Sequence, residues 1–184
     1  MTLLARHVHL ARPREAGRAM SIHSDRRYGF AASAEEVWAA LTRVDEYAQW
    51  WPWLVGFDGT DFEAGSRWQC TVRSPLRYSV HFAVELVEVR AAELAAAKVT
   101  GDIKGTATLT VTPFDRGKVD RGRVDGGSEL RLVSDLASNV GLVATVDRWA
   151  PRLAEASHRW VLDTGFRQFR DRTGLAPRGG TIRA

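Results

Sequence analysis

From residue 78 to residue 86 the chain places an apolar side chain at every second position. Tyr78, Val80, Phe82, Val84 and Leu86 point one way, and Arg77, Ser79, His81 and Glu85 the other. A period of two sustained over that length is a β-strand with one buried and one solvated face, as in an antiparallel sheet. The phase breaks near Val87, which predicts a bulge and a bend. The run before it repeats the pattern: Trp68, Cys70 and Val72 share one side, Arg67, Gln69, Thr71 and Arg73 the other. Ser74 and Pro75 turn the chain between the two. The rest of the fold has to be built around this hairpin.

Upstream, residues 28–32 read as a short first strand with Tyr28 and Phe30 on one face. Ser33-Ala34-Glu35-Glu36 is a capping box, in which the serine hydroxyl takes the third-position N–H while Glu36 reaches back. The helix it opens carries Val37, Leu41 and Val44 on one stripe. Asp45 is placed to cap a second short helix through Gln49, which Pro52 closes. Further strands are predicted over 53–58, 96–102, 106–114 and 129–136, the last with Leu130, Leu132 and Leu136 inward beside Ser134. Residues 115–127 contain a short polar repeat, read as an elongated hairpin loop. The last element is a long helix capped by Asp147, with Pro151 in its first turn and Gly174 as its stop. On it His158, Val161, Leu162, Gly165 and Phe169 share one face, while Leu153, Ala156 and Trp160 point nearly opposite. A large aromatic on the outer side of a surface helix is unexpected. A homodimer contact through that stripe is one reading, cover by another part of the chain a second, and plain exposure at the surface a third. The class is α+β: a curved antiparallel sheet of about seven strands, two short helices and a long C-terminal helix.

With 184 residues, 45% of them apolar and seven tryptophans, the chain can bury the core of one domain. The expected boundaries are 28–173 for the domain, 1–27 for a disordered or extraneous extension, and 174–184 for a flexible tail. Residues 1–18 hold arginines without an apolar stretch, unlike a secretory leader. No run approaches the roughly 18 apolar residues of a membrane span. The single cysteine, Cys70, excludes an internal disulfide and fits a reducing, cytoplasmic compartment. The formal charge of +4 lies at the ends: residues 1–27 carry six arginines against Glu15 and Asp25, and Arg178 and Arg183 lie in the tail. The segment between them is slightly acidic, so the basic pI does not predict a nucleic-acid face.

Several stretches resemble one family. They are Ser33-Ala34-Glu35-Glu36-Val37-Trp38, Tyr47-Ala48-Gln49-Trp50-Trp51-Pro52, Thr100-Gly101-Asp102-Ile103-Lys104-Gly105, Gly126-Gly127-Ser128-Glu129-Leu130 and His158-Arg159-Trp160-Val161. Together with the element order they are similar to the START-like (SRPBCC) superfamily, in its polyketide cyclase/dehydrase and lipid-transport-like branch. The resemblance spans about residues 28–172 and implies a helix-grip fold, in which a bent sheet wraps the long helix and leaves a cavity. Such folds serve carriers, receptors, cyclases and chaperone activators, so the resemblance does not choose among functions.

By strand and helix phase, the lining of that cavity is Trp68, Cys70, Val72, Tyr78, Val80, Phe82, Leu130, Leu132 and Ser134, with His158 and Leu162 from the helix and Trp53 near the mouth. This is the apolar, aromatic composition of a small-molecule site, and the same residues could instead fill a solid core. Burying about ten ligand carbons is worth roughly 8 kcal/mol, against association costs of roughly 4–15 kcal/mol. Selectivity therefore falls to the few polar groups: His158, Tyr78, Ser134 and the Trp68 indole N–H. His158 and Tyr78 are the candidate catalytic pair, since an imidazole can shuttle a proton and a phenol can polarise a carbonyl. Nothing basic adjoins Cys70 in sequence, so a reactive thiolate is unsupported. No residues stand at metal-ligand spacing, and no cofactor is expected. Three readings stay open: a binder of an apolar or aromatic molecule, a cyclase or dehydratase, and a protein-interaction module.

Overall fold

The computed structural model describes residues 21–75, 78–114, 127–138 and 150–177. Its frame is a seven-stranded antiparallel sheet in the order β1-β7-β6-β5-β4-β3-β2, with β1 Ser21–Phe30, β2 Leu54–Phe57, β3 Arg67–Arg73, β4 Ser79–Arg90, β5 Leu94–Gly101, β6 Ile103–Pro113 and β7 Ser128–Ser138. Three helices accompany it: α1 Ala34–Leu41, α2 Tyr47–Trp50 and the long α3 Ala150–Thr173. Strand alternation is carried across the ladder: Trp68 faces Val84, Cys70 faces Phe82, and Val72 faces Val80. Val87 is the extra residue of a bulge between Leu86 and Glu88, and it is exposed. A second register shift falls between Leu54 and Gly56 in β2. Both bend the sheet toward the helix.

Two close strand approaches depend on glycine. At Gly105 (φ +151°) a Cβ would fall on the Asp135 carbonyl oxygen of β7. At Gly101 (φ +125°) it would stand 2.6 Å from the His81 carbonyl. The turn between them is locked by Asp102, whose backbone N–H donates to the His81 carbonyl and whose carboxylate accepts the His81 N–H at 2.8 Å.

The capping box forms as its residues dictate: the Glu36 N–H donates to Ser33 Oγ at 3.2 Å and the Ser33 N–H to the Glu36 carboxylate at 2.8 Å. Val37, Leu41 and Val44 are buried. Asp45, however, caps nothing. It lies inside a 3-10 turn, Val44–Glu46, and α2 begins without a side-chain cap. Glu46 instead binds Arg43 and accepts the Trp50 indole N–H at 3.0 Å.

Two boundaries move. β1 starts at Ser21, so residues 21–27 belong to the domain and not to an extension. The tail is pinned through residue 177: the Ala31 N–H donates to the Ala176 carbonyl at 3.0 Å, and Phe30 bridges Pro177. Gly174 (φ +70°) stops α3, with its N–H on the Arg170 carbonyl. Residues 1–20, the 115–126 repeat, the Asp147 cap and the Leu153 side chain lie outside the described residues.

Candidate functional site

The C-terminal half of α3 is clamped. Gly165 lets it come close: a Cβ there would lie 3.0 Å from the Trp53 ring. Trp51 donates its indole N–H to the Gly165 carbonyl at 2.9 Å, and Trp53 donates to Gln168 Oε1 at 3.0 Å. Phe166 stacks on Tyr28 with ring centroids 3.4 Å apart, and Phe169 packs between Phe30 and Trp50. The N-terminal half sits differently. Residues 157, 158, 161 and 162 are only half-buried, whereas 164, 165 and 169 are buried. The sheet face follows suit: Leu86, Ala97, Val111 and Leu130 are buried, but Val80, Phe82, Val84, Ala107, Leu109 and Leu132 keep partial exposure although they share the inward phase.

On the inner face of the β1–β7 pair, polar residues interrupt the apolar surface. On β1 the inward residues are Ser24, Arg26, Tyr28 and Phe30, and the register sets Ser24 opposite Ser134, Arg26 opposite Leu132 and Tyr28 opposite Leu130. The α3 residue His158 completes the cluster. Tyr28 Oη, Ser134 Oγ and His158 Nε2 are each buried, and none has a hydrogen-bond partner among the described residues. Burial and the nearby Arg26 guanidinium hold the imidazole below its ordinary range, so it is neutral at physiological pH. Burial, with Asp163 adding to it, pushes the Tyr28 phenol up to about 12. The cluster is therefore uncharged except for Arg26. The Arg26 side chain is half-buried and has no hydrogen bond or ion pair among the described residues.

Ser134 and Leu130 are buried, Leu132, Val80 and Phe82 are half-buried on the same sheet face, and His158 and Leu162 are half-buried on α3. Three other expectations need correction. Tyr78 is not a buried wall opposite His158: β4 begins one residue later, and Tyr78 stands at the rim, 42% exposed. The alternation was extended past the end of the strand. The phenol that the sheet does present is Tyr28. Trp68 is buried in an aromatic group with Tyr47, Phe57 and Phe62, and its indole N–H is consumed by the Asp61 carbonyl at 3.0 Å, so it offers a ligand no donor. Trp53 serves the helix clamp, its N–H held by Gln168. Cys70 and Val72 are buried beside Trp68, and burial pushes the Cys70 thiol up to about 12, where it is inert at neutral pH.

Arg26 and Tyr28 were missed as site residues. Tyr28 was visible as an inward strand residue. The signal for Arg26 was its even spacing from Tyr28 and Phe30, which places it on the same face.

A family model described as polyketide cyclase / dehydrase and lipid transport matches residues 22–174. The chain belongs to that family. The match begins within β1, in agreement with the strand boundary rather than with residue 28. Among solved structures, the chain is similar to a conserved protein from Geobacillus kaustophilus (10% identity, TM-score 0.64, covering 83% of this chain and 95% of that one). It is also similar to the Zhui aromatase/cyclase from Streptomyces sp. R1128 (15%, TM-score 0.62, covering 84% and 94%). A START superfamily protein from Mycobacterium smegmatis aligns as well (16%, TM-score 0.59, covering 83% and 97%). At such identities these likenesses establish the START-like, helix-grip fold and nothing finer. No curated protein matches the sequence. No helix among the described residues is long and apolar enough to cross a membrane.

Proposed function

We propose that this protein binds an apolar or aromatic small molecule, lipid- or polyketide-like, between the concave sheet and the N-terminal half of α3. The observation that carries the reading is the trio of buried, unpartnered polar atoms on Tyr28, Ser134 and His158. A buried donor or acceptor without a partner costs about 1–3 kcal/mol, and folded domains hold few of them. Three such atoms, carried by β1, β7 and α3, are accounted for by a guest that supplies the missing hydrogen bonds. Family membership and the half-buried inward residues Val80, Phe82, Leu109 and Leu132 support the same reading. The site favours binding over a cyclase or dehydratase. The phenol pushed up to about 12 is a poor proton donor at neutral pH, and Tyr78 stands apart at the rim.

Nile red, a neutral apolar dye, tests this. Its fluorescence should rise and saturate at about one dye per chain. Ala107→Trp, which fills the inner face opposite Ser134 and Ala97, should abolish the signal while circular dichroism stays native. Absence of saturable binding by the unaltered protein, or full binding by a folded Ala107→Trp variant, rejects the reading.

A further inference from the structure

The two faces of the β1–β7 pair treat charge differently. On the outer face the charges are matched: His23 with Asp135 at 2.6 Å, Arg27 with Glu129 at 3.5 Å, and Asp25 with Arg131 through two hydrogen bonds of 2.9 and 2.6 Å. On the inner face Arg26 projects from the same strand, half-buried, toward the region of His158 and Tyr28, and has no counter-ion among the described residues. A guanidinium cannot shed its proton, so partial burial without a partner is a standing cost that deprotonation cannot relieve. Among the described side chains, no carboxylate answers it. Asp25 and Glu129 are bound on the outer face, and Asp163 of α3, although its field reaches Tyr28, is exposed and forms no ion pair with Arg26.

We infer that the cavity selects molecules carrying a carboxylate, gripped by Arg26 and completed by hydrogen bonds from Tyr28, Ser134 or His158, with the apolar body laid along the concave sheet. This rests on the small-molecule binding proposed above and narrows it to amphipathic acids. The planar fork of the guanidinium matches a carboxylate through two parallel N–H···O bonds. Tyr28 and Ser134 bring hydroxyls free to donate, and neutral His158 has one ring nitrogen available to donate or accept. With the imidazole uncharged, the cluster carries a single positive charge, which suits a monoanion better than a dianionic phosphate. Such a head group answers the guanidinium and whichever of these polar atoms lies within its reach. An apolar hydrocarbon would leave every one of them unsatisfied.

The test uses competition against Nile red on the full chain, with two pairs of probes: dodecanoate against dodecan-1-ol, and 2-naphthoate against 2-naphthol. In at least one pair the acid should displace the dye at a concentration about tenfold lower than the alcohol, the worth of one charge-assisted contact. Arg26→Gln should bring acid and alcohol within about twofold, each referred to that variant's own dye affinity, and Arg26→Lys should keep a preference for the acid. Dye binding with equal displacement by acid and alcohol in both pairs overturns the carboxylate inference and leaves the binding reading standing. So does a folded Arg26→Gln variant that keeps the full preference. If the dye does not bind the unaltered protein, both fall together.

Discussion

If the hydroxyls of Tyr28 and Ser134 are kept for a guest, removing them should strengthen the empty protein. In Tyr28→Phe the ring stays stacked on Phe166, at a centroid distance of 3.4 Å, and only the unpartnered oxygen is lost. In Ser134→Ala a side chain that is 4% exposed loses its unpartnered Oγ and keeps its place in the β7 ladder. Relief of a buried, unsatisfied hydroxyl is worth about 1 kcal/mol, at the low end of the 1–3 kcal/mol range because neither exchange is free of packing loss. The two positions are well separated: Tyr28 stands opposite Leu130, four residues along β7 from Ser134, or about 13 Å at the rise of a strand. Their effects should therefore add to about 2 kcal/mol. For a domain of this size that raises the melting midpoint by about 4–8 °C. The assay is differential scanning calorimetry of the two single variants and the double variant, with dodecanoate affinity measured alongside. Stability should rise while affinity falls. If both single variants melt below the unaltered protein, the hydroxyls are already satisfied in the free state, and the argument from orphaned polar atoms collapses.

Three further outcomes follow from the same structure. Gly105→Ala should cost several kcal/mol, because its Cβ collides with the Asp135 carbonyl at a φ of +151°; a folded variant with a native melting temperature would refute the β6–β7 register. Stability should decline as pH falls below about 6.5, since the unfolded chain then binds a proton that buried His158 refuses, and His158→Gln should flatten the slope of chemical-denaturation stability against pH. Trp160 is 38% exposed on the outer side of α3 beside exposed Ala156. Trp160→Glu should therefore stay within about 0.5 kcal/mol of the unaltered protein, and sedimentation of both forms decides whether this face joins two copies.

Features fixed by local chemistry could be read from the sequence. The capping box needs only Ser33 and Glu36 at their spacing, and the phase break at Val87 needs only a period of two. The face of α3 that holds His158 and Phe169 follows from 100° per residue. The start of β1 did not announce itself, because Ser24 and Arg26 on the inner side alternate with His23, Asp25 and Arg27 on the outer side, so the strand shows no apolar period. A strand polar on both faces looks like a linker until its partner is known. That concealed Arg26, the one charged member of the cluster. Tyr78 failed in the opposite way: alternation continues in the letters after the hydrogen-bonded ladder has ended. The fate of an indole N–H is equally hidden, since the partners of Trp53 and Trp68 are Gln168, distant in sequence, and a loop carbonyl at Asp61.

The strand order has a consequence for how the protein is made. Among the described residues β1 is an edge paired with β7, and Asp25 meets Arg131 across 106 residues of chain. A ribosome adding about 5–20 residues per second needs on the order of 5–20 s to span that interval. Throughout it, the first strand has left the exit tunnel with no ladder to join. Closing so long a loop is entropically slow, and its return comes only when both strands dock together. Arg26 and Tyr28 thus wait for Ser134 and, later still, for His158, so the polar cluster is assembled late. A nascent chain that stalls before β7 would hold most of the sheet and none of the site.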